Sequence, residues 1–314
     1  MNRTENEPED ILDAIIVGGG TAGLSAALLL GRSRRRVLVC HGGAPRNAPA
    51  AHSHSFFTRD GTPPLELLRI GREQLEPYDG VRLVEAEVLE VTGTEEGFIV
   101  ALADGTRHHA RKILLATGVY DELPPIEGLR ELWGTGVIHC PYCHGWEVRD
   151  QPLAIRSDGE IAVEFALLLK GWSDDIILCT DGPSTLIPSD RARLAAHGIA
   201  IREEPIARLE GEDGELRRIV FANGESIERR ALFFRAPQQQ RSDLPARLGC
   251  AFTDDGKVKV DEMMQTSVPG IYAAGDMTTP MQQVVMAAAA GSLAGVMMNV
   301  AIGRESKERE GDSR

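Results

Sequence analysis

A chain of 314 residues is long enough for two domains with their own cores, and 42% hydrophobic with 26% charged residues is ordinary for a globular protein. The net charge of −13 excludes nonspecific nucleic-acid binding through the average surface, because polyphosphates would be repelled. The basic run RSRRR at 32–36 does not reverse that and reads as a solvated helix end.

The first ten residues, MNRTENEPED, have neither the basic start nor the apolar stretch of a secretory leader. No apolar run is expected to reach the roughly 18 residues of a membrane span. The nearest, 286–300, is rich in Ala and Gly and reads as a buried helix. The expectation is a cytoplasmic protein with no membrane partner. There the five cysteines are not structural staples, because the cytosol keeps thiols reduced. Cys40, Cys179 and Cys250 stand alone and read as buried small apolar residues. Both ends, 1–10 and 305–314, lack periodicity and are expected to be loose.

In chain order, 11–17 reads as a buried strand, GGGTAG as a turn, LSAALLLGRS as a helix and VLVC at 37–40 as a second strand. Gly18, Gly20 and Gly23 fit G-x-G-x-x-G: a tight turn, a backbone that can approach a pyrophosphate, and close packing of helix on strand. The acid that would hold the ribose at the end of the second strand is replaced by Cys40 and His41. LVEAEVLEVTG and FIVALADGTRHHARKILLATG read as further strands, with a hairpin turn at ADGT, 103–106. LAIRSDGEIAVEFALLL, 153–169, begins as a strand and ends as a helix, but its turn offers Ser157, Gly159 and Ala162 where G-x-G-x-x-A is wanted. TDGPS follows the next strand and presents Asp181 where an NADP site usually has an Arg. This second nucleotide-type turn therefore reads as eroded. GIYAAGDM, 270–277, is another strand, with a helix starting near Gln282. Dinucleotide-type elements at both ends of the chain predict an α/β fold in which one domain is made of two segments, 1–122 and 241–314, and a second domain, 123–240, is inserted in it.

HCPYCHGWE, 139–147, carries the chemistry. C-x-x-C-H can attach haem, but that requires export; zinc wants a second ligand pair, and His139 and His144 are too close in sequence to supply one. Two inert thiols and a redox dithiol remain, and physical arguments favour the dithiol. Two intervening residues let the sulfurs meet when the segment turns into a helix. The helix amino terminus stabilises a thiolate, and Pro141 fits the first turn, where a missing N–H costs nothing. His144 can trade the proton near neutrality.

The ordered set GGGTAG, PRNAPA, ATG, C-x-x-C and GIYAAGD followed by QQV resembles the low-molecular-weight thioredoxin reductases, FAD-dependent pyridine nucleotide-disulfide oxidoreductases, over about 11 to 303. The resemblance implies two Rossmann-like domains, a split FAD domain and an inserted NADPH-type domain bearing the disulfide, in a homodimer. It implies that Gly18, Gly20, Thr21, Ala22 and Gly23 meet the FAD pyrophosphate. Arg46 and Asn47 would lie along the cofactor and Val88 by the adenine. Thr117 and Gly118 would close the site, Asp276 would bond the ribitol, and Gln283 and Val284 would offer groups near the flavin ring. His52 and His54 would approach the flavin by chain position. Cys140 would attack the substrate and Cys143 would face the flavin. The partner would be a thioredoxin-like protein or a small-molecule disulfide or dithiol.

The family's usual C-x-x-C-D is C-x-x-C-H here, a run that also resembles the dithiol oxidases of the gliotoxin and holomycin type. The eroded nicotinamide turn makes NADPH doubtful and resembles reductase-like flavoproteins fed by ferredoxin. A flavin-binding redox sensor without turnover is the remaining alternative, and it has no need of the dithiol.

Overall fold

The computed structural model describes residues 11–312; the expectation that 1–10 are loose lies outside them. The chain forms two compact units: Met1–Arg46 (so far as described), Leu65–Tyr120 and Gln239–Arg314 in one, Asn47–Pro64 and Asp121–Gln238 in the other. Residues 47–64, expected with the first segment, cluster with the second unit. Pro49 packs against Gly134, and Ser55 Oγ donates to the Tyr142 carbonyl at 3.3 Å.

The first unit opens with β1 (Leu12–Val17), α1 (Thr21–Arg32), β2 (Val37–His41), α2 (Pro64–Glu73) and β3 (Val81–Glu85). β4 (Val88–Thr94), β5 (Gly97–Leu102), β6 (Arg107–Leu115) and β7 (Val119–Asp121) follow. β3, β2, β1 and β6 lie side by side and parallel. The first half of β6 also pairs antiparallel with β5, which pairs with β4. Alternate side chains go to opposite cores: Ala14 and Ile16 pack towards α1, Ile15 and Val17 towards the other face. Burial on both faces is why these strands read as continuous apolar runs. The basic run is tied down rather than free: Arg32 donates to Tyr78, Arg35 to Asn299, and Arg36 to the Ile11 carbonyl.

The second unit continues with β8 (Val137–Ile138), α3 (Pro141–His144), β9 (Leu153–Arg156), α4 (Glu160–Leu169), β10 (Ile176–Cys179), α5 (Pro188–Ala196) and β11 (Ala200–Arg202). β12 (Ile206–Glu212), β13 (Glu215–Phe221), β14 (Ser226–Glu228) and β15 (Ala231–Phe234) complete it, and β16 (Gln238–Gln240) begins at its last residue. A parallel sheet in the order β11-β10-β9-β15-β8 has α4 and α5 on one face. The antiparallel sheet β12-β13-β14 covers the other through Leu209, Leu216, Ile219 and Phe221. The chain then returns to the first unit with α6 (Leu244–Arg247), β17 (Ile271–Ala273) and α7 (Val284–Asp312). β17 pairs parallel with the second half of β6.

α7 corrects three expectations. It runs to Asp312 where a loose tail is expected from 305, because Lys112 pairs with Glu305 and Ser306 bonds back to the Ile302 carbonyl. Its stretch Val284–Glu308 is long and apolar enough to cross a bilayer by length and composition, since polar Ser292 and Asn299 interrupt the apolar run without ending it. It is also buried on one face only. Gly291 lies against the backbone of Ala22 in α1, while Met286, Leu293, Val296 and Val300 are exposed.

Candidate active site

Cys140 and Cys143 form a disulfide with their Cα atoms 5.3 Å apart. Cys140 is the extended N-cap of α3, Pro141 is its first helical residue, and both cysteines are half-buried. The one-turn helix brings the sulfurs together and leaves the Cys143 and His144 amides bonded to the Cys140 carbonyl, each at 3.2 Å. Tyr142 stacks edge-on against Trp172, their rings 5.4 Å apart. Trp146 is 65% exposed and lies under the Arg149 guanidinium, so it is no core residue. The three other cysteines are buried and free; burial pushes the Cys40 thiol up to about 12.

His144 ends α3 beside Cys143. Both its ring nitrogens are buried and have no hydrogen-bond partner among the described residues. Burial holds its pKa below the ordinary histidine value, while the backbone of His52 and the charge of Glu147 act the other way. The depressed pKa favours the neutral imidazole, the form that can accept a proton. His54 lies edge-on to it, ring centroids 6.2 Å apart, and His52 lies 6.2 Å from His54. Asn47, expected along the cofactor, belongs to this second unit and bonds Ser53 Oγ at 3.3 Å.

The first glycine turn is built for something that approaches its backbone. A Cβ on Gly18 would sit 2.2 Å from the Ala116 carbonyl oxygen, and one on Gly23 would sit 1.9 Å from that of Gly18. A Cβ on Gly20 would meet nothing within 4 Å. Gly20 caps α1 without a side-chain bond, Thr21 and Ala22 open the helix, and no acid stands in its first turn. The first amides of a helix have no acceptor within it, so this amino terminus, with room beside Gly20, fits an anion such as a pyrophosphate. In the same unit, Asp276 pairs with Arg46 at 3.3 Å, and Gln282 accepts from Arg46 at 2.7 Å while donating to the Asp276 carbonyl at 3.2 Å. Gln282 was missed by sequence reasoning, although QQV names it as readily as its neighbour Gln283. Thr117 contacts the Met277 sulfur, Gly118 takes a left-handed conformation, and Gln283 with Val284 starts α7. Val88 is buried in the core at the head of β4.

The second turn differs. Gly159 caps α4, but the Asp158 carboxylate before it accepts from the Thr185 amide at 3.0 Å, Thr185 Oγ1 at 2.7 Å and Ser184 Oγ at 3.2 Å. Asp181 is bound by Arg156 at 2.7 Å and accepts from the Ile206 amide at 2.6 Å. Two carboxylates, each satisfied internally, thus occupy the places where a dinucleotide would need donors.

A family model described as pyridine nucleotide-disulphide oxidoreductase matches residues 12–291. A thioredoxin reductase, sirT, from Leptosphaeria maculans is 33% identical over 92% of this chain and 94% of its own. Among solved structures, HlmI is 38% identical with a TM-score of 0.90 over 99% of both chains. An oxidoreductase from Agrobacterium tumefaciens is 37% identical with a TM-score of 0.87, over 93% of this chain and 98% of its own.

Proposed function

Given that the chain belongs to the pyridine nucleotide-disulphide oxidoreductases, as an FAD-dependent enzyme of thioredoxin reductase type, we propose that it exchanges disulfides through Cys140 and Cys143 with an electron donor other than NADPH. The observation that carries this reading is the pair of internally bonded carboxylates, Asp158 and Asp181, at the second nucleotide-type turn. A pyridine dinucleotide would have to displace both, against like charge.

Bound FAD supplies a two-electron store for the cysteine pair. Gly18, Gly20, Thr21, Ala22 and Gly23 would hold its pyrophosphate, and Arg46, Val88, Thr117, Gly118, Asp276, Gln283 and Val284, all of the first unit, would hold the rest. In the reducing direction His144 takes the proton of Cys140, the thiolate attacks a substrate disulfide, and one substrate sulfur leaves with that proton. Cys143 attacks Cys140, the mixed disulfide breaks, and the second substrate thiol leaves. The substrate gains two electrons and two protons; the cysteine pair loses them. The substrate is the disulfide of a thioredoxin-like protein, the donor a ferredoxin or similar carrier, and the exposed apolar face of α7 supports pairing with a second copy of the chain.

A second reading reverses the flow: a small-molecule dithiol is oxidised and oxygen is the final acceptor. The exposure of Tyr142 and Trp146, flanking Cys143, favours it by offering an aromatic surface to a small apolar substrate. One anaerobic experiment tests both. NADPH is expected to leave the flavin oxidised, and rapid bleaching by NADPH would overturn the proposal. Bleaching by a dithiol, followed by peroxide when air is admitted, would favour the oxidase. Cys143→Ser is expected to abolish turnover and keep the flavin.

A further inference from the structure

The AHSHSFF segment belongs to the same compact unit as α3, and it brings a second histidine to the dithiol. His54 stands edge-on to His144. Its two ring nitrogens face two carboxylates: Nε2 is 3.4 Å from Glu147 Oε1, and Nδ1 is 3.5 Å from Asp60 Oδ1. Asp60 is itself fixed, accepting from the Ser55 amide at 2.7 Å. Access to water rises along this series. The His144 nitrogens are buried, the His54 side chain is 20% exposed, Glu147 39% and Asp60 70%.

That gradient answers a need of the chemistry. When a thiol attacks a disulfide it gives up a proton, and in the direction that oxidises a substrate dithiol two such protons must go somewhere. The first substrate thiol passes its proton to His144, and its sulfur bonds to Cys140 as the Cys140–Cys143 bond breaks. Cys143 leaves as a thiolate; the second substrate thiol then gives up its own proton and displaces Cys140, which also leaves as a thiolate, so the substrate loses two electrons and two protons, the cysteine pair gains the electrons and solvent receives the protons. His144 holds one proton at a time and its ring nitrogens are buried, so it must be emptied between the two steps. We propose that His54, held between Glu147 and Asp60, is a positioning residue that takes the proton from His144 and passes it to solvent. No direct bond joins the two rings, so a turn of the His144 ring or one bridging water completes the path. His52, Glu147 and Asp60 are the charged or titratable groups facing the pair. The proposal rests on the acid–base role given to His144.

The test uses the flavin-loaded enzyme mixed anaerobically with dithiothreitol, with the new cysteine thiols trapped by alkylation and counted against time. In dilute phosphate at neutral pH, His54→Ala is expected to slow exchange about tenfold, a fraction of the usual worth of a proton-transfer group. Added imidazole should restore the lost rate in H54A and leave the wild type unchanged. H54Q, which keeps the side-chain volume, should be equally slow, so that misfolding of H54A is not mistaken for the effect. A wild-type rate in H54A, or a slow rate that imidazole does not restore, would overturn the relay. His144→Gln separates the two ideas. If H144Q exchanges at the wild-type rate, the acid–base role itself falls; if H144Q is slow while H54A is not, only the relay falls.

Discussion

The two glycine-type turns share a plan: a parallel strand, a turn and a helix whose amino terminus faces the end of the sheet. They differ in what occupies the turn. The first leaves its backbone bare, with two positions where a Cβ would strike backbone oxygen and a third open to space. The second carries a side chain at the first and third matching places, Ser157 and Ala162, and its own carboxylates take nearby donors. Ala162, at the third position, is fully buried and keeps its Cβ, so here helix and strand do not need the closest approach. Topology is therefore a poor guide to ligand. The same frame can present an anion site or bury the means of making one, and here Asp158 and Asp181 carry the difference.

The comparison breaks most sharply at Gly23. Gly23→Val places a Cβ 1.9 Å from the Gly18 carbonyl, and neither partner is a side chain that can move. We expect loss of bound flavin and a stability loss of about 3 kcal/mol, read from flavin released on denaturation and from urea unfolding. Retained flavin in G23V would mean that the first turn is not the anion site. His144 gives the next effect, in pH. Its folded pKa lies below its unfolded value, so the unfolded state binds more protons between the two. Stability is therefore lost as pH falls from about 6.5 towards the folded pKa. H144Q should flatten that limb in pH-dependent unfolding. Exchange catalysed by His144 should hold constant above the depressed pKa and fall below it.

Asp158 comes third. Burial alone would raise its pKa, but hydrogen bonds from Thr185, Gly159 and Ser184 outweigh that and hold it below the usual carboxylate range. Its contribution is present above the unfolded pKa and lost as pH falls through the folded one. D158N is expected to cost about 1–2 kcal/mol near neutrality, measured by urea unfolding, and to lose less on acidification than the wild type.

The local part of this arrangement was legible in sequence. Apolar runs bounded by glycine named β1, β2, β6, β9, β10 and β17, because strand burial and turn chemistry are written within a few residues. C-x-x-C after His139 named the dithiol for the same reason. Residues 47–64 were not legible as part of the second unit, since nothing in PAAHSHSFF shows that Pro49 packs on Gly134 or that His54 meets Glu147. The β12-β13-β14 sheet was missed because its strands are held by cross-strand partners. The last turns of α7 were missed because ion pairing with Lys112, 193 residues away, holds a charged tail in helix. Asp181 reads from sequence as a poor partner for a nucleotide phosphate, but only the fold shows that it and Asp158 each have internal donors.

Ser157 tests what closes the second turn, and it carries the smallest effect. By sequence the missing first glycine is the obvious defect, so S157G would be the natural repair. By structure the glycine is not the obstacle: Ser157 has no left-handed backbone, and its amide bonds the Cys179 carbonyl at 3.2 Å. S157G should therefore cost about 0.5 kcal/mol through added freedom of the unfolded chain and confer no NADPH binding. Asp158→Ser with Asp181→Arg removes both carboxylates, frees the Thr185 amide and supplies a cation where a 2′-phosphate would sit. Calorimetric titration with NADPH should then show binding in the double variant and none in S157G. Binding by S157G alone would place the closure in the backbone of the turn, and the contrast between the two turns would reduce to a missing glycine.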